Sequence, residues 1–230
     1  MAKFLPGPTV AEVRGSIGGT VYSRNRYGAY MRNRAKPVVS TTEFATSAKA
    51  RMSAATQAWS GLTDTQRASW NNFAASNPVP GSLGIPVVLT GHAAFVGSYC
   101  RAVFASLTPL DVAPIVHAPE PLTTLSLTGD VGAGDVTAVF TATPLGATDR
   151  LWLQVCVTQS VGINYVQNLL KLCVPAAAAT ASPYVFDTEL TARIGLPSVG
   201  EKLTVLASVF NNASMLLSAP LRASVVITTT

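Results

Sequence analysis

The sequence predicts an α+β chain: an extended basic N-terminal arm with a β-hairpin, a small helical segment, and a C-terminal antiparallel β-sandwich of fibronectin-III or immunoglobulin type. Three observations carry this. Residues 1–36 hold seven Lys/Arg against one acid, Glu12, and are interrupted by Gly and Pro. Residues 40–106 carry apolar side chains at helical spacing behind two capping signatures. Beyond residue 122, runs of β-branched residues alternate with turn residues, as in all-β domains.

Residues 1–39 read as the arm. Pro6, Pro8, Gly15, Gly18, Gly19, Gly28 and Pro37 exclude a continuous helix. The stretches 20–24 and 29–32 alternate as short strands do, and Asn25-Arg26-Tyr27-Gly28 suits the turn between them. Two strands alone are marginal in water, so the arm is expected to need a partner surface.

Ser40-Thr41-Thr42-Glu43 has the form of a capping box, in which hydroxyl and carboxylate satisfy reciprocal backbone donors. The helix after it aligns Phe44, Ala48, Met52, Ala55 and Trp59 on one face and stops at Gly61. A second box, Thr63-Asp64-Thr65-Gln66, opens a helix with Trp70, Phe73 and Ala74 inward, ending near Asn77-Pro78. A third helix follows Thr90-Gly91 and carries Phe95, Tyr99, Ala102 and Val103. Residues 107–121 contain Pro109, Pro114, Pro119 and Pro121, which makes them a stiff linker and the expected domain boundary.

Seven strands are predicted near 122–129, 136–143, 151–159, 165–174, 184–193, 202–210 and 222–229, a number that suits a two-sheet sandwich. Gly132-Ala133-Gly134 reads as a hairpin turn. Leu151, Leu153, Val155 and Val157 alternate with Trp152, Gln154 and Cys156. The aliphatic set faces the core in one register, and Trp152 is the large core residue in the other. The expected core anchors are Phe44, Met52, Trp59, Trp70, Phe73, Phe95 and Trp152.

The net charge of +5 is unevenly spread: +6 over residues 1–36, +2 over 37–101 and −3 over 102–230. Charged residues are 12% of the chain, against about 25% in soluble domains, which excludes a charged disordered tail or a coiled coil. No run of 18 apolar residues occurs, so no membrane span is expected. Met1-Ala2-Lys3 leads into Pro6-Gly7-Pro8 rather than an apolar signal core, which places assembly in a cytoplasm.

No enzyme motif is present, and neither His92 nor His117 has a metal-ligand neighbour at the usual spacing. No catalytic residue, cofactor or metal is expected. Asp187 and Glu189 lie two apart on a predicted strand and read as a solvated edge, and Asp149-Arg150 reads as a turn ion pair. Three cysteines (Cys100, Cys156, Cys173) make no disulfide framework and read as buried thiols.

The most specific local chemistry lies in the arm. Arg14, Arg24, Arg26, Arg32 and Arg34 interleave with Tyr22, Tyr27 and Tyr30. This set suits phosphate contacts with base stacking, and equally a protein interface anchored by Arg and Tyr. The body is neutral to acidic, which favours a protein partner over nucleic acid.

The order Gly15-x-x-Gly18-Gly19-x-Val21-Tyr22-Ser23-Arg24-Asn25-Arg26-Tyr27-Gly28-x-Tyr30-x-Arg32-x-Arg34, then Pro37, resembles a recurrent family of phage and prophage genomes. Ala58-Trp59-x-x-Leu62-Thr63-x-x-Gln66-Arg67-x-x-Trp70 resembles its paired-tryptophan helical hairpin. Leu89-Thr90-Gly91-x-x-x-Phe95 and Asp111-x-Ala113-Pro114 resemble its next two motifs, so the likeness covers roughly residues 3–120. Val38-Val39-Ser40 stands where the family has Asn-Pro. The resemblance implies a structural part of a phage virion, assembled in the host cytoplasm. The expected role is a capsid decoration or minor capsid component, held by its arm to capsid, neck or tail subunits or to copies of itself. A host-surface-binding module using loops 144–150, 160–164 and 195–201, and a nucleic-acid-binding protein using the arm, are the competing expectations.

Overall fold

A computed structural model describes residues 2–3, 7, 10, 12–25, 28–37, 39–80, 86–115, 118–130, 135–141, 143, 145–173 and 175–228. The chain divides into two units, residues 1–46 and residues 47–230. The first contains β1 (Ala2–Lys3), β2 (Gly15–Ile17), β3 (Thr20–Asn25) and β4 (Gly28–Asn33), joined antiparallel in the order β1-β4-β3-β2. The predicted hairpin is β3–β4, and two further strands widen it into a sheet.

Helix α1 (Glu43–Gly61) begins in the first unit and carries the chain into the second. Thr46 N donates to Thr42 O at 2.9 Å, so the first helical bond is accepted at Thr42 and not at Ser40. The predicted box at Ser40 is therefore displaced: Ser40 Oγ meets Thr42 Oγ1 instead, at 3.2 Å. Helix α2 (Asp64–Ser76) does carry its box: Gln66 N donates to Thr63 Oγ1 and Thr63 N to Gln66 Oε1. Strands β5 (Val79–Pro80) and β6 (Pro86–Val87) pair before α3 (Gly91–Phe104), which is capped by Thr90 Oγ1 accepting from Ala93 N.

Leu62, Trp70 and Phe95 form the buried centre of the helical segment, with Trp59, Phe73 and Tyr99 against it. Trp70 meets Phe95 edge-on at 5.5 Å, and its indole N–H is satisfied by Asp111 O at 3.0 Å. Phe44 and Met52 are exposed, at 42% and 56%, contrary to expectation. Along the apolar stripe of α1 Ala55 is buried and Ala58 and Trp59 join this cluster, whereas Phe44, Ala48 and Met52 on the earlier turns are exposed.

The proline-rich stretch 107–121 lies inside the second unit. Ala113 N donates to Ser69 Oγ, and Leu107 and Leu110 pack beside Trp152 and Phe210.

Two antiparallel sheets follow. One joins β7 (Thr124–Asp130), β8 (Asp135–Thr141) and β11 (Tyr184–Val185) in the order β11-β8-β7. The other joins β9 (Asp149–Thr158), β10 (Lys171–Leu172), β12 (Lys202–Asn211) and β13 (Leu221–Val226) in the order β10-β9-β12-β13. The hairpin turn predicted at Gly132-Ala133-Gly134 lies outside the described residues. Val136, Ala138 and Phe140 of β8 share one core with Leu151, Leu153 and Val155 of β9 and Leu203, Val205 and Ala207 of β12. The aliphatic register holds, yet Trp152 is also buried, on the opposite face of β9 beneath Phe104 of α3.

Two predicted strands are corrected. Among the described residues of 165–174 only Lys171–Leu172 is strand. The chain goes on along the edge of β9 through Cys173 N–Leu153 O and Ala176 N–Leu151 O, but Pro175 has no N–H to continue a ladder. Over 184–193 the two-residue β11 gives way to α4 (Asp187–Arg193). Asp187 and Glu189 in its first turn and Arg193 in its last match the helix dipole, and Leu190 reaches the core.

Gly91 opens α3 directly against α2. A Cβ there would stand 2.7 Å from Asn71 N and 2.9 Å from Asn71 Cα, backbone atoms that yield only if α2 moves. Gly91→Ala is expected to cost about 1–3 kcal/mol or more, read as a lowered thermal midpoint by circular dichroism. Gly97→Ala is the control, since its Cβ meets Arg101 Nη1 at an ordinary 3.5 Å. Equal midpoints for the two variants would refute the close approach of α2 and α3.

Candidate functional site

Of the interface residues expected from sequence, the sheet of the first unit carries Tyr22, Arg24, Tyr30 and Arg32; Arg14 and Arg34 lie just outside its strands, and Arg26 and Tyr27 lie outside the described residues. Gly18 turns β2 into β3 with φ +57°, a conformation glycine adopts without strain. Arg34 N donates to Gly19 O at 2.7 Å and fixes the far end of the hairpin. Paired residues share a face of a sheet and successive ones alternate. The register Tyr22↔Met31 and Arg24↔Ala29 puts Tyr22, Arg24 and Met31 on one face. The register Val21↔Arg32 and Ser23↔Tyr30 puts Val21, Tyr30 and Arg32 on the other.

Both faces therefore carry an arginine, a tyrosine and an aliphatic side chain. In β3 and β4 Val21, Tyr22, Tyr30 and Met31 are half-buried, and Arg14, Arg24, Arg32 and Arg34 are exposed. Glu12, the one acid of residues 1–36, accepts from Arg14 Nε at 2.9 Å and lies 3.9 Å from Arg24 Nη1. Among the described residues Arg32, Arg34 and Lys36 make no ion pair. The two-sided arrangement follows from the short strands read at 20–24 and 29–32, since successive residues of a strand face opposite ways. The contact of Glu12 with Arg24 was not legible, because it depends on β2 folding back on β3, which residue spacing does not reveal.

Elsewhere the titratable groups do structural work. His92 packs edge-on against Trp59 at 5.4 Å, and His117 lies outside the described residues. No group of three or more His, Cys, Asp or Glu could hold a metal ion among the described residues. Asp187 and Glu189 point to different partners: Asp187 accepts from Val136 N, and Glu189 Oε1 accepts from Tyr184 OH at 2.8 Å. Asp149 accepts from Asn211 Nδ2 at 2.7 Å, while Arg150 donates to Ala105 O, so the expected turn pair is replaced by two longer-range contacts. All three cysteines are free thiols.

Burial pushes the Cys173 thiol up to about 11 from 9.0, with Arg193 opposing the rise and Glu189 adding to it. Burial and the bond to Glu189 also raise Tyr184. Cys173 holds its proton more tightly folded than unfolded, so its contribution to stability is complete below pH 9 and is lost as pH rises through about 11. Cys173→Ala is expected to shrink the alkaline loss of unfolding free energy by about 1–3 kcal/mol, measured by denaturant titration on either side of that window. The same alkaline loss in both proteins would overturn this assignment. No protein-family model matches the chain, and no curated protein or solved structure matches it.

Proposed function

We propose that the chain is a structural protein of a phage particle, anchored by its N-terminal arm and displaying a body whose two sheets form a β-sandwich of the fibronectin-III or immunoglobulin kind. The observation that carries this reading is the sheet of the first unit. It has four strands, arginine and tyrosine on both faces, and Val21, Tyr22, Tyr30 and Met31 only half-buried. A sheet gains stability by covering an apolar face. One with two half-covered faces is best satisfied by insertion between neighbouring subunits. The phage context rests on the motifs of residues 3–120, and low surface charge suits a capsid decoration or minor capsid component. A place in the neck or tail uses the same contacts and differs in copy number.

A nucleic-acid role is less well supported. A duplex is gripped by cations gathered on one surface. Here Arg24 and Arg32 face opposite ways, and Arg24 lies beside Glu12.

Quantitative mass spectrometry of nuclease-treated particles tests the reading. Capsid decoration predicts on the order of hundreds of copies, and a neck or tail site about a dozen. Absence from particles would refute it. The full-length chain with Tyr22→Ser, Arg24→Ser, Tyr30→Ser and Arg32→Ser is expected to fold its second unit normally and enter particles at least about tenfold less. Undiminished incorporation would remove the arm from the anchoring role.

A further inference from the structure

A cleft of about 150 Å³ opens within the second unit, where α2 and α3 meet the β5–β6 ribbon and the chain at Leu216. Phe73, Ala74, Val79, Leu89, Ala93 and Leu216 give it apolar walls. Its two strongly polar lining residues are Asn77 and Arg101. The Asn77 amide is engaged, donating to Phe73 O at 2.9 Å, which leaves the Arg101 guanidinium as the charged group of the cleft.

That guanidinium is held in place but has no counter-charge. Arg101 Nε donates to Met215 O at 2.9 Å, which fixes the plane of the fork and leaves the donors of Nη1 and Nη2 to spare. A Cβ on Gly97, another lining residue, would stand 3.5 Å from Nη1 and 4.0 Å from Nη2, so the open end of the fork lies against the wall that Gly97 forms. Among the described residues no carboxylate pairs with Arg101. Residues 65–110 and 202–230, which supply every lining residue, contain no Asp or Glu at all. Burial lowers the guanidinium pKa, with the Cys100 thiol opposing the shift. A half-buried cation between apolar walls is poorly solvated, and a carboxylate that reaches its fork relieves that cost with charge-assisted hydrogen bonds.

The mouth of the cleft is apolar as well. Val79 pairs with Val87 across the ribbon, so the two side chains share a face. Both are exposed, as is Leu89, which lines the cleft with Val79. We infer that the cleft receives an acidic side chain of a partner protein, its carboxylate on Arg101 and its apolar neighbours on Val79, Val87 and Leu89. The free fork decides the charge of the occupant. The volume admits about five waters at about 30 Å³ each, room for one side chain, and the apolar rim outside it calls for a chain that continues beyond that side chain. The inference concerns a surface separate from the N-terminal sheet, and its test on the purified protein fails or succeeds independently of particle incorporation.

Titration of the isotope-labelled full chain with a blocked Val-Glu-Val tripeptide, followed by NMR at the Gly97 N–H and the Arg101 Nε–H, tests it. The expected result is saturable shifts at both groups with a dissociation constant of about 1 mM or below, and binding at least about tenfold weaker for blocked Val-Gln-Val. Arg101→Met should weaken Val-Glu-Val at least about tenfold. Ala93→Leu fills the cleft from an exposed position on α3 and should do the same with an unchanged melting curve. No shift at either group, equal binding of the Glu and Gln peptides, or full affinity in Ala93→Leu would each overturn the inference. Butyrate binding as tightly as Val-Glu-Val would overturn the protein partner and assign the cleft to small carboxylates instead.

Discussion

Strand β9 is buried on both faces, and the second unit is organised around that fact. Leu151, Leu153 and Val155 enter the core between the two sheets, while Trp152 turns to the other side and meets Phe210 at 5.0 Å and Phe104 of α3 at 5.4 Å. A strand with one wet face would need no helices. This one needs them, because an uncovered Trp152 and Phe210 would leave a large apolar patch on the sheet. Ala102 and Ala105 of the chain through α3 let it approach closely, and Arg101 Nε closes the contact on Met215 O at 2.9 Å. The helical segment and the sheets therefore form one hydrophobic structure, with Leu110 touching both the Trp152 cluster and the Trp70 cluster.

The same outer face is covered differently at its other end. No helix reaches Cys156, Thr204 or Lys202, and the loop 159–170 is drawn over them instead. The Lys202 ammonium is satisfied by loop acceptors, and Val166 is buried. A buried lysine with neutral acceptors demands that the loop stay in place, because an unsatisfied ammonium is far more costly than an unsatisfied amide. That demand explains why residues 165–170 do not extend β10 as a regular strand.

Much of this was legible in the sequence, and the failures have physical causes. Long strands with strict alternation, 151–157 and 202–210, were readable because period two is unambiguous over that length. The Thr63 box and the paired tryptophans were readable because their chemistry is local. The segment 184–193 was misread because Tyr184-Val185-Phe186 is strand-like, while the helix that follows is set by charge placement and by Leu190 docking in the core. Phe44 and Met52 were assigned to the core because helical spacing reveals an apolar stripe but not how far a neighbour extends along it. In the arm, the residue types were readable and their distribution over two faces followed from alternation. Glu12 was not, since its partner Arg24 is set by tertiary placement.

The charge distribution sets the two units apart. In the first unit seven Lys and Arg stand against Glu12 and Glu43, so any contact made there is long-ranged, fast to form and weakened by salt. In the second unit nine Lys and Arg stand against nine Asp and Glu, so that unit exerts no comparable long-range attraction. Exposed ion pairs contribute at most about 1 kcal/mol each, so the charge of the first unit steers an encounter more than it holds one, and the half-buried Val21, Tyr22, Tyr30 and Met31 are the side chains with apolar surface left to cover.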